Sequence, residues 1–279
     1  MDDDLRRLAR AALAEDLGVR GDVTSLATVP AEARGTGVLA TRQEGVVAGL
    51  DAAAAVFDAV QPAVALHARV ADGARVGVGA VVAEVEGTTR GILAAERTAL
   101  NLLGHLSGVA TLTARFVAAI SGSQAVIRDT RKTLPGLRAL EKRAVVAGGG
   151  TNHRFGLDDG VLVKDNHVAA AGGVAAATRA ALAGAGGLDV QVEVDDLDQL
   201  AVALDAGARS VLLDNFVLPD LREAVRRCRA HPEPVFVEAS GGVRLDTVAD
   251  IARTGVDAVA VGVLTHSAPA LDVGLDLVL

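Results

Sequence analysis

The sequence predicts an α/β protein whose larger part is a parallel sheet curling toward a barrel, preceded by a smaller α+β unit. Three observations predict it. From residue 125 onward, short apolar runs alternate with segments of helical spacing, the rhythm of strands joined by crossover helices. Each apolar run ends in polar residues, which is where parallel sheets and barrels collect their chemistry. Half of the 279 residues are apolar, yet there are five Phe and no Trp or Tyr, so the core is built from Ala, Val and Leu.

Residues 4–17 carry apolar positions at helical spacing and read as an amphipathic helix. Strand-like runs follow at 37–41, 45–49, 63–70 and 76–85, with a helix at 52–60 and turns at Asp72-Gly73 and Gly77–Gly79. Residues 89–120 are helical in pattern. Gly104, Ser107 and Gly108 interrupt them, so two or more helices are expected. The strand-and-helix rhythm then gives strand ends at 125–132, 161–167, 190–195, 210–215, 234–242 and 257–266. Helices are expected between them, among them 197–205, 220–230 and 245–254. Six strands fall short of a complete eight-stranded barrel, and no Gly-x-Gly-x-x-Gly follows a first strand to suggest a dinucleotide fold.

Composition excludes several functions. A formal net charge of −8 and the scarcity of aromatics argue against nucleic-acid binding. The acidic start (Asp2, Asp3, Asp4) leads into no apolar core, so no signal peptide is expected there. The most apolar stretch, 168–188, is largely Ala and Gly with Arg179 inside it. It is expected to be helix and loop, not a membrane span. Cys228 is the only cysteine, which fits a reducing compartment such as the cytoplasm.

The charge is segregated. Residues 121–157 hold seven basic residues against two acidic ones, whereas the remainder of the chain is strongly acidic. A positive insert in an acidic protein points to a focused anion site. A solvated helix face accounts for part of it, at Arg138, Lys142 and Arg143. The chain has three lysines only, Lys132, Lys142 and Lys164. In a chain where almost every other cation is Arg, those positions favour a compact, titratable ammonium.

Five clusters carry chemistry. Arg128-Asp129-Thr130-Arg131-Lys132-Thr133 crowds cations at a strand end, and the planar guanidinium fork suits a carboxylate or phosphate. Gly148–Gly150, followed by Thr151-Asn152-His153-Arg154, offers a close backbone approach and more donors. Lys164 sits at the end of 161–163, placed to form a Schiff base or to bind an anion. Glu193 with Asp195, and Asp214 with Asn215, end consecutive strands. They suit Mg2+ or a cation-like sugar carbon, although helix capping is the stronger reading for Asp195 and Asp196. Ser240-Gly241-Gly242, and Gly262 to His266 one unit later, match a phosphate cradle built from small residues near helix starts. Together these describe a site for two anions.

At these residues the chain resembles the quinolinate phosphoribosyltransferase family. The matching stretches are ERTALNLLGHLSG (96–108), RDTRKTLPGLRALEKRAV (128–145), GGGTNHRFGLDDGVLVKDNH (148–167), VEVD (192–195), LDNF (213–216), EASGG (238–242) and VGVLTHS (261–267). The resemblance implies an N-terminal open α/β sandwich at 1–110, to which residues 268–279 return. It implies an incomplete α/β barrel of about seven strands at 111–267. It implies that Arg131, Lys132, His153, Arg154 and Lys164 surround quinolinate. Glu193 and Asp214 would engage ribose and Mg2+, and Ser240, Gly241, Gly242, Gly262 and His266 the 5′-phosphate. Arg97 would reach the site of a second subunit in a homodimer, with hexamers also known in such families. Lys132, Lys164, Glu193 and Asp214 are the catalytic candidates. The implied reaction joins quinolinate to phosphoribosyl pyrophosphate with loss of CO2, giving nicotinate mononucleotide. The alternatives are a paralogue acting on another aromatic acid, a Schiff-base lyase on Lys164, and a phosphate binder without turnover.

Overall fold

The computed structural model describes residues 3–278. Met1, Asp2 and Leu279 lie outside the described residues, and with Asp2 part of the acidic start. The chain divides into two compact units. The first comprises residues 3–114, Leu134–Gly149 and 267–278; the second comprises Arg115–Thr133 and Gly150–His266. The segment Leu134–Gly149, expected in the barrel at 111–267, groups with the first unit.

In the first unit, α1 (Asp3–Leu17) buries Leu5, Ala9 and Leu13 along one stripe, as its spacing predicts. The short α2 (Val23–Thr28), absent from the sequence reading, starts where Asp22 accepts the backbone N–H groups of Thr24 and Ser25. Then come β1 (Arg34–Thr41), β2 (Gly45–Val46), α3 (Leu50–Ala59), β3 (Ala65–Ala68), β4 (Arg75–Val76) and β5 (Val81–Thr88). The expected strand 76–85 is split in two by the turn that ends at Gly79, whose φ is +79°. The C-terminal strand Val273–Val278 pairs antiparallel with β1, giving a four-stranded sheet that continues through β5 to β3. The short β2 and β4 form a separate ribbon.

Residues 89–119 correct the sequence reading, for they form one 31-residue helix, α4 (Thr89–Ala119). Its small residues are points of close packing, not breaks. A Cβ at Gly104 would lie 2.9 Å from the Leu271 carbonyl oxygen, and one at Gly108 would lie 3.0 Å from Ala270 Cα. Ser107 Oγ donates to the Ala48 carbonyl and accepts the Ala48 N–H. The helix is long and apolar enough to cross a membrane by length and composition, yet 61% of its apolar window is buried, as for a core helix. Ile92, Ala95, Ala99, Leu103, Leu106 and Ala110 mark the inward stripe.

The second unit begins with β6 (Val126–Arg128). The chain then passes through α5 (Arg138–Ala147) of the first unit before β7 (Val161–Val163), α6 (Asp165–Ala171) and α7 (Val174–Gly184). Next are β8 (Val190–Val194), α8 (Leu197–Asp205), β9 (Ser210–Asp214), α9 (Leu218–Arg229) and β10 (Phe236–Ser240). After α10 (Val248–Ala252), β11 (Ala258–Ala260) and α11 (Val263–His266), β12 (Val273–Val278) is the strand already placed in the first unit. The six strands pair in parallel in the order β6-β11-β10-β9-β8-β7. Thr151 bridges the free edge of β6, donating to the Ile127 carbonyl at 2.8 Å and accepting the Asp129 N–H at 3.1 Å. It supplies a seventh strand position one residue long, and between it and β7 the barrel is open. The stretch 168–188 is helix and loop, as expected.

Candidate active site

Side chains alternate across a strand, so residues two apart share a face. Register and spacing put Lys164, Glu193, Asp214, Ser240 and Gly262 at the C-terminal ends of β7 to β11. Two residues earlier on their own strands, and so on the same face, lie Gln191, Leu212, Glu238 and Ala260, with Arg128 of β6 paired to Ala260. These five expected site residues therefore gather at one end of the sheet, its mouth.

Lys164 and Glu193 form an ion pair, with Nζ 2.5 Å from Oε2; the lysine side chain is 45% exposed and the glutamate 10%. The backbone N–H of Lys164 donates to His167 Nδ1, which fixes the turn into α6. At the end of β9, Asn215 adopts φ +56°, a left-handed conformation that few residues other than glycine tolerate. Its backbone N–H donates to the Ser240 carbonyl, and its Nδ2 donates to Asp214 Oδ2 at 2.6 Å. Gly241, at φ +93°, lies against that residue: a Cβ there would sit 2.7 Å from the Asn215 nitrogen. Gly242, at φ +57°, has open space around it. Close by, a Cβ on Gly262 would lie 3.2 Å from Lys132 Cδ and 3.3 Å from His266 Nε2, so these three residues adjoin one another. Thr265 Oγ1 ties α11 to the Lys132 carbonyl at 2.7 Å.

The segment 151–154 enters through the barrel's open side. Asp129, fully buried, accepts the His153 N–H at 2.8 Å. Arg154 sends Nη1 to the Gly160 carbonyl, while its Nε is buried without a hydrogen bond. Burial, and then the neighbouring Arg131 guanidinium, push the Arg154 guanidinium below its ordinary range. A guanidinium pushed down by a second cation favours an anion beside it. Asp159 organises the loop between, accepting the N–H groups of Phe155 and Gly156, and these hold its carboxyl below the usual range.

Beneath the mouth lies a polar layer that the sequence reading did not single out. Glu238 Oε2 accepts Arg128 Nη1 at 2.8 Å and Gln191 Nε2 at 2.9 Å. Gln191 Oε1 is 2.9 Å from His153 Nε2. The signal was available, since Gln191 and Glu238 stand two residues before Glu193 and Ser240 on inward-facing strand positions. A cleft of about 860 Å3 opens among Val126, Val161, Val190, Ser210 and Phe236, and it is lined as well by Arg128, Gln191, His153 and Arg154. Lys164, Glu193 and Asp214 do not line it.

Other expected residues fall elsewhere. Asp196 caps α8 by accepting the N–H groups of Asp198 and Gln199, as expected; Asp195 is not the cap. Lys142 is buried rather than solvated, and of its basic neighbours Arg143 pairs with Asp51 at the surface. Gly148 serves helix packing in the first unit, where a Cβ would lie 2.6 Å from Thr113 Cβ. Arg97 stands exposed on α4 in a shallow groove with Glu15, Asp16 and Asn101 of the first unit. Among the described residues no group of three or more His, Cys, Asp or Glu could hold a metal ion by itself.

The chain is similar to known proteins along its length. Residues 22–107 match the model of the quinolinate phosphoribosyl transferase N-terminal domain, and residues 109–276 match that of the C-terminal domain. A carboxylating nicotinate-nucleotide pyrophosphorylase of Mycobacterium leprae is 50% identical over 277 residues, 99% of this chain and 98% of that protein. The solved nicotinate-nucleotide pyrophosphorylase of Francisella tularensis superposes with a TM-score of 0.92 at 39% identity, covering 99% of this chain and 96% of that one. The corresponding structure from Ehrlichia chaffeensis gives 0.93 at 34% identity, over all of both chains.

Proposed function

The chain belongs to the quinolinate phosphoribosyltransferase family, decarboxylating pentosyltransferases of NAD biosynthesis, and on that premise we propose how its second unit does the work. Arg131, Lys132, His153, Arg154 and Lys164 surround the quinolinate dianion. Ser240, Gly241, Gly242, Gly262 and His266 hold the 5′-phosphate of phosphoribosyl pyrophosphate. Glu193 and Asp214 face the ribose. The observation that carries this reading is the half-buried Arg154, whose Nε is buried without a hydrogen bond and whose guanidinium is pushed below its ordinary range by burial and then by Arg131.

Both substrates are anions, so the residues must first hold them together against their repulsion. The bond from ribose C1 to pyrophosphate breaks, its electrons leaving with pyrophosphate. Glu193 and Asp214 stabilise the cation-like C1. The pyridine nitrogen lone pair forms the new bond to C1, and the ring becomes a pyridinium. The electrons of the bond to the 2-carboxylate then flow toward that ring, CO2 departs, and C2 takes a proton. The ammonium groups of Lys132 and Lys164 are the donors available there.

Mg2+ fits the carboxylates present. Lys164 occupies one oxygen of Glu193 and Asn215 one of Asp214, leaving an oxygen on each. Two carboxylate oxygens without a third protein ligand suit an ion that is shared with substrate phosphates. Bound there, Mg2+ would neutralise charge on the departing pyrophosphate. Arg97, exposed on α4, is offered to the site of a second copy in a homodimer. The enzyme works in the cytoplasm, in keeping with a single buried cysteine.

The test is one assay of the purified protein with quinolinate, phosphoribosyl pyrophosphate and Mg2+, following nicotinate mononucleotide and CO2. Turnover should need all three and should fail with nicotinate. A folded protein that ignores quinolinate but converts another aromatic acid would replace this substrate with that one.

A further inference from the structure

The hydrogen bonds beneath the mouth decide what His153 can do. The Glu238 carboxylate only accepts, and it faces Arg128 Nη1 and Gln191 Nε2 on the same oxygen, Oε2. That fixes the Gln191 amide, because the reversed amide would point its oxygen at a carboxylate. Gln191 Oε1 therefore faces His153 Nε2 at 2.9 Å and can only accept from it. On the other side of the ring, Nδ1 accepts the Arg154 backbone N–H at 2.7 Å. A proton on Nδ1 would place two donors face to face.

We propose that Glu238 and Gln191, with Glu238 Oε2 also 3.8 Å from His153 Nε2, form a buried relay that locks His153 as the neutral Nε2–H tautomer, so that His153 holds the Arg154 backbone in place. Glu238 is fully buried and Gln191 is 7% exposed, so water competes poorly for these hydrogen bonds. Gln191 and Glu238 are thus positioning residues, acting on the substrate through His153 and Arg154. The positive charge at the site then comes from the guanidinium and ammonium groups. The same bonds tie the segment at the barrel's open side to β8 and β10, across the gap that no strand pairing spans.

The inference rests on the quinolinate reading for its kinetic consequence only. The tautomer is measured without substrate, by two-bond proton–nitrogen correlation on the full chain labelled with 15N-histidine, near neutral pH. The His153 signals are assigned by their loss in His153→Asn. The expected pattern is Nε2 protonated and Nδ1 bare. An Nδ1–H tautomer or an imidazolium would overturn the proposal whatever the enzyme's substrate. In Gln191→Met, which keeps the volume and removes both hydrogen bonds, the single-tautomer pattern should be lost. The KM for quinolinate should then rise about tenfold, with kcat and the KM for phosphoribosyl pyrophosphate changed by less than about twofold. An equal rise in both KM values would assign Gln191 a merely structural role. The wild-type spectrum needs no variant, so a Gln191→Met chain that fails to fold leaves the decisive measurement standing. A wild type with the expected tautomer but no quinolinate turnover would sink the substrate reading and keep the relay.

Discussion

Replacing Gly241 by Ala, beside the same change at Gly242, separates backbone conformation from close packing at the end of β10. Both glycines have positive φ, +93° and +57°, so both variants lose about 1–2 kcal/mol for a Cβ in that region. Only Gly241 adds a collision. Its Cβ would lie 2.7 Å from the backbone nitrogen of Asn215, whereas nothing lies within 4 Å of a Cβ at Gly242. Backbone cannot swing aside as a long side chain does, so the collision adds about 1–3 kcal/mol. At about 2–4 °C per kcal/mol for a chain of this size, Gly241→Ala should melt roughly 2–12 °C below Gly242→Ala. The displaced Asn215 also holds Asp214, through the bond from Nδ2 to Oδ2. A shift of that carboxylate by the better part of an ångström should lower kcat/KM about a hundredfold. Calorimetry and steady-state kinetics read the two effects. Equal melting temperatures for the two variants would show that Asn215 yields without cost, and the reasoning from close approach would fall.

Three further outcomes are expected. Arg131→Lys keeps the charge but loses the planar fork, and should raise the KM for quinolinate about thirtyfold or more while a surface Arg→Lys change stays near wild type; near-normal turnover would remove Arg131 from the site. Lys164→Met removes the partner of Glu193. With the lysine 45% exposed, stability should fall by only about 1 kcal/mol although activity is lost, and parallel loss of both would make the pair structural. Burial in α9 pushes the Cys228 thiol up to about 11 from its ordinary 9.0, so native protein should resist alkylation near neutral pH. Because the folded form favours the protonated thiol, that stabilisation is complete below about pH 9 and is lost as the pH rises toward 11. Cys228→Ala should flatten the fall in stability between about pH 9 and 11, measured by denaturant titration at each pH, and an unchanged pH dependence would count against the buried thiol as its cause.

The second unit was legible because its strands announce themselves twice, as apolar runs and by the polar residue that ends each one. Lys164, Glu193, Asp214, Ser240 and Gly262 were found that way. Less was legible where a small residue has two meanings. Gly104, Ser107 and Gly108 look like helix breakers, and only the approach of residues 269–271 and of Ala48 shows them to be packing sites inside one helix. Thr151 escaped because a strand position one residue long has no periodicity to read. Lys142 was assigned to a solvated face by its charged neighbours, although the structure buries it. Gln191 and Glu238 could have been found, since a polar residue on the inward face of a barrel strand needs a partner.

The two layers of the barrel interior divide the labour of the site. At the mouth, Lys164 leans on Glu193 from a half-exposed position. Such groups can exchange protein partners for substrate at small cost, because little needs to be desolvated anew. One step deeper, Arg128, Glu238 and Gln191 are joined by bonds of 2.8 and 2.9 Å within the buried interior. Breaking any of them would leave a buried polar group without its partner, which costs far more than loosening a surface pair. A mouth that must rearrange around two anions is thus seated on a layer that resists rearrangement. The His153 ring joins this layer, through Nε2, to the backbone of Arg154, through Nδ1.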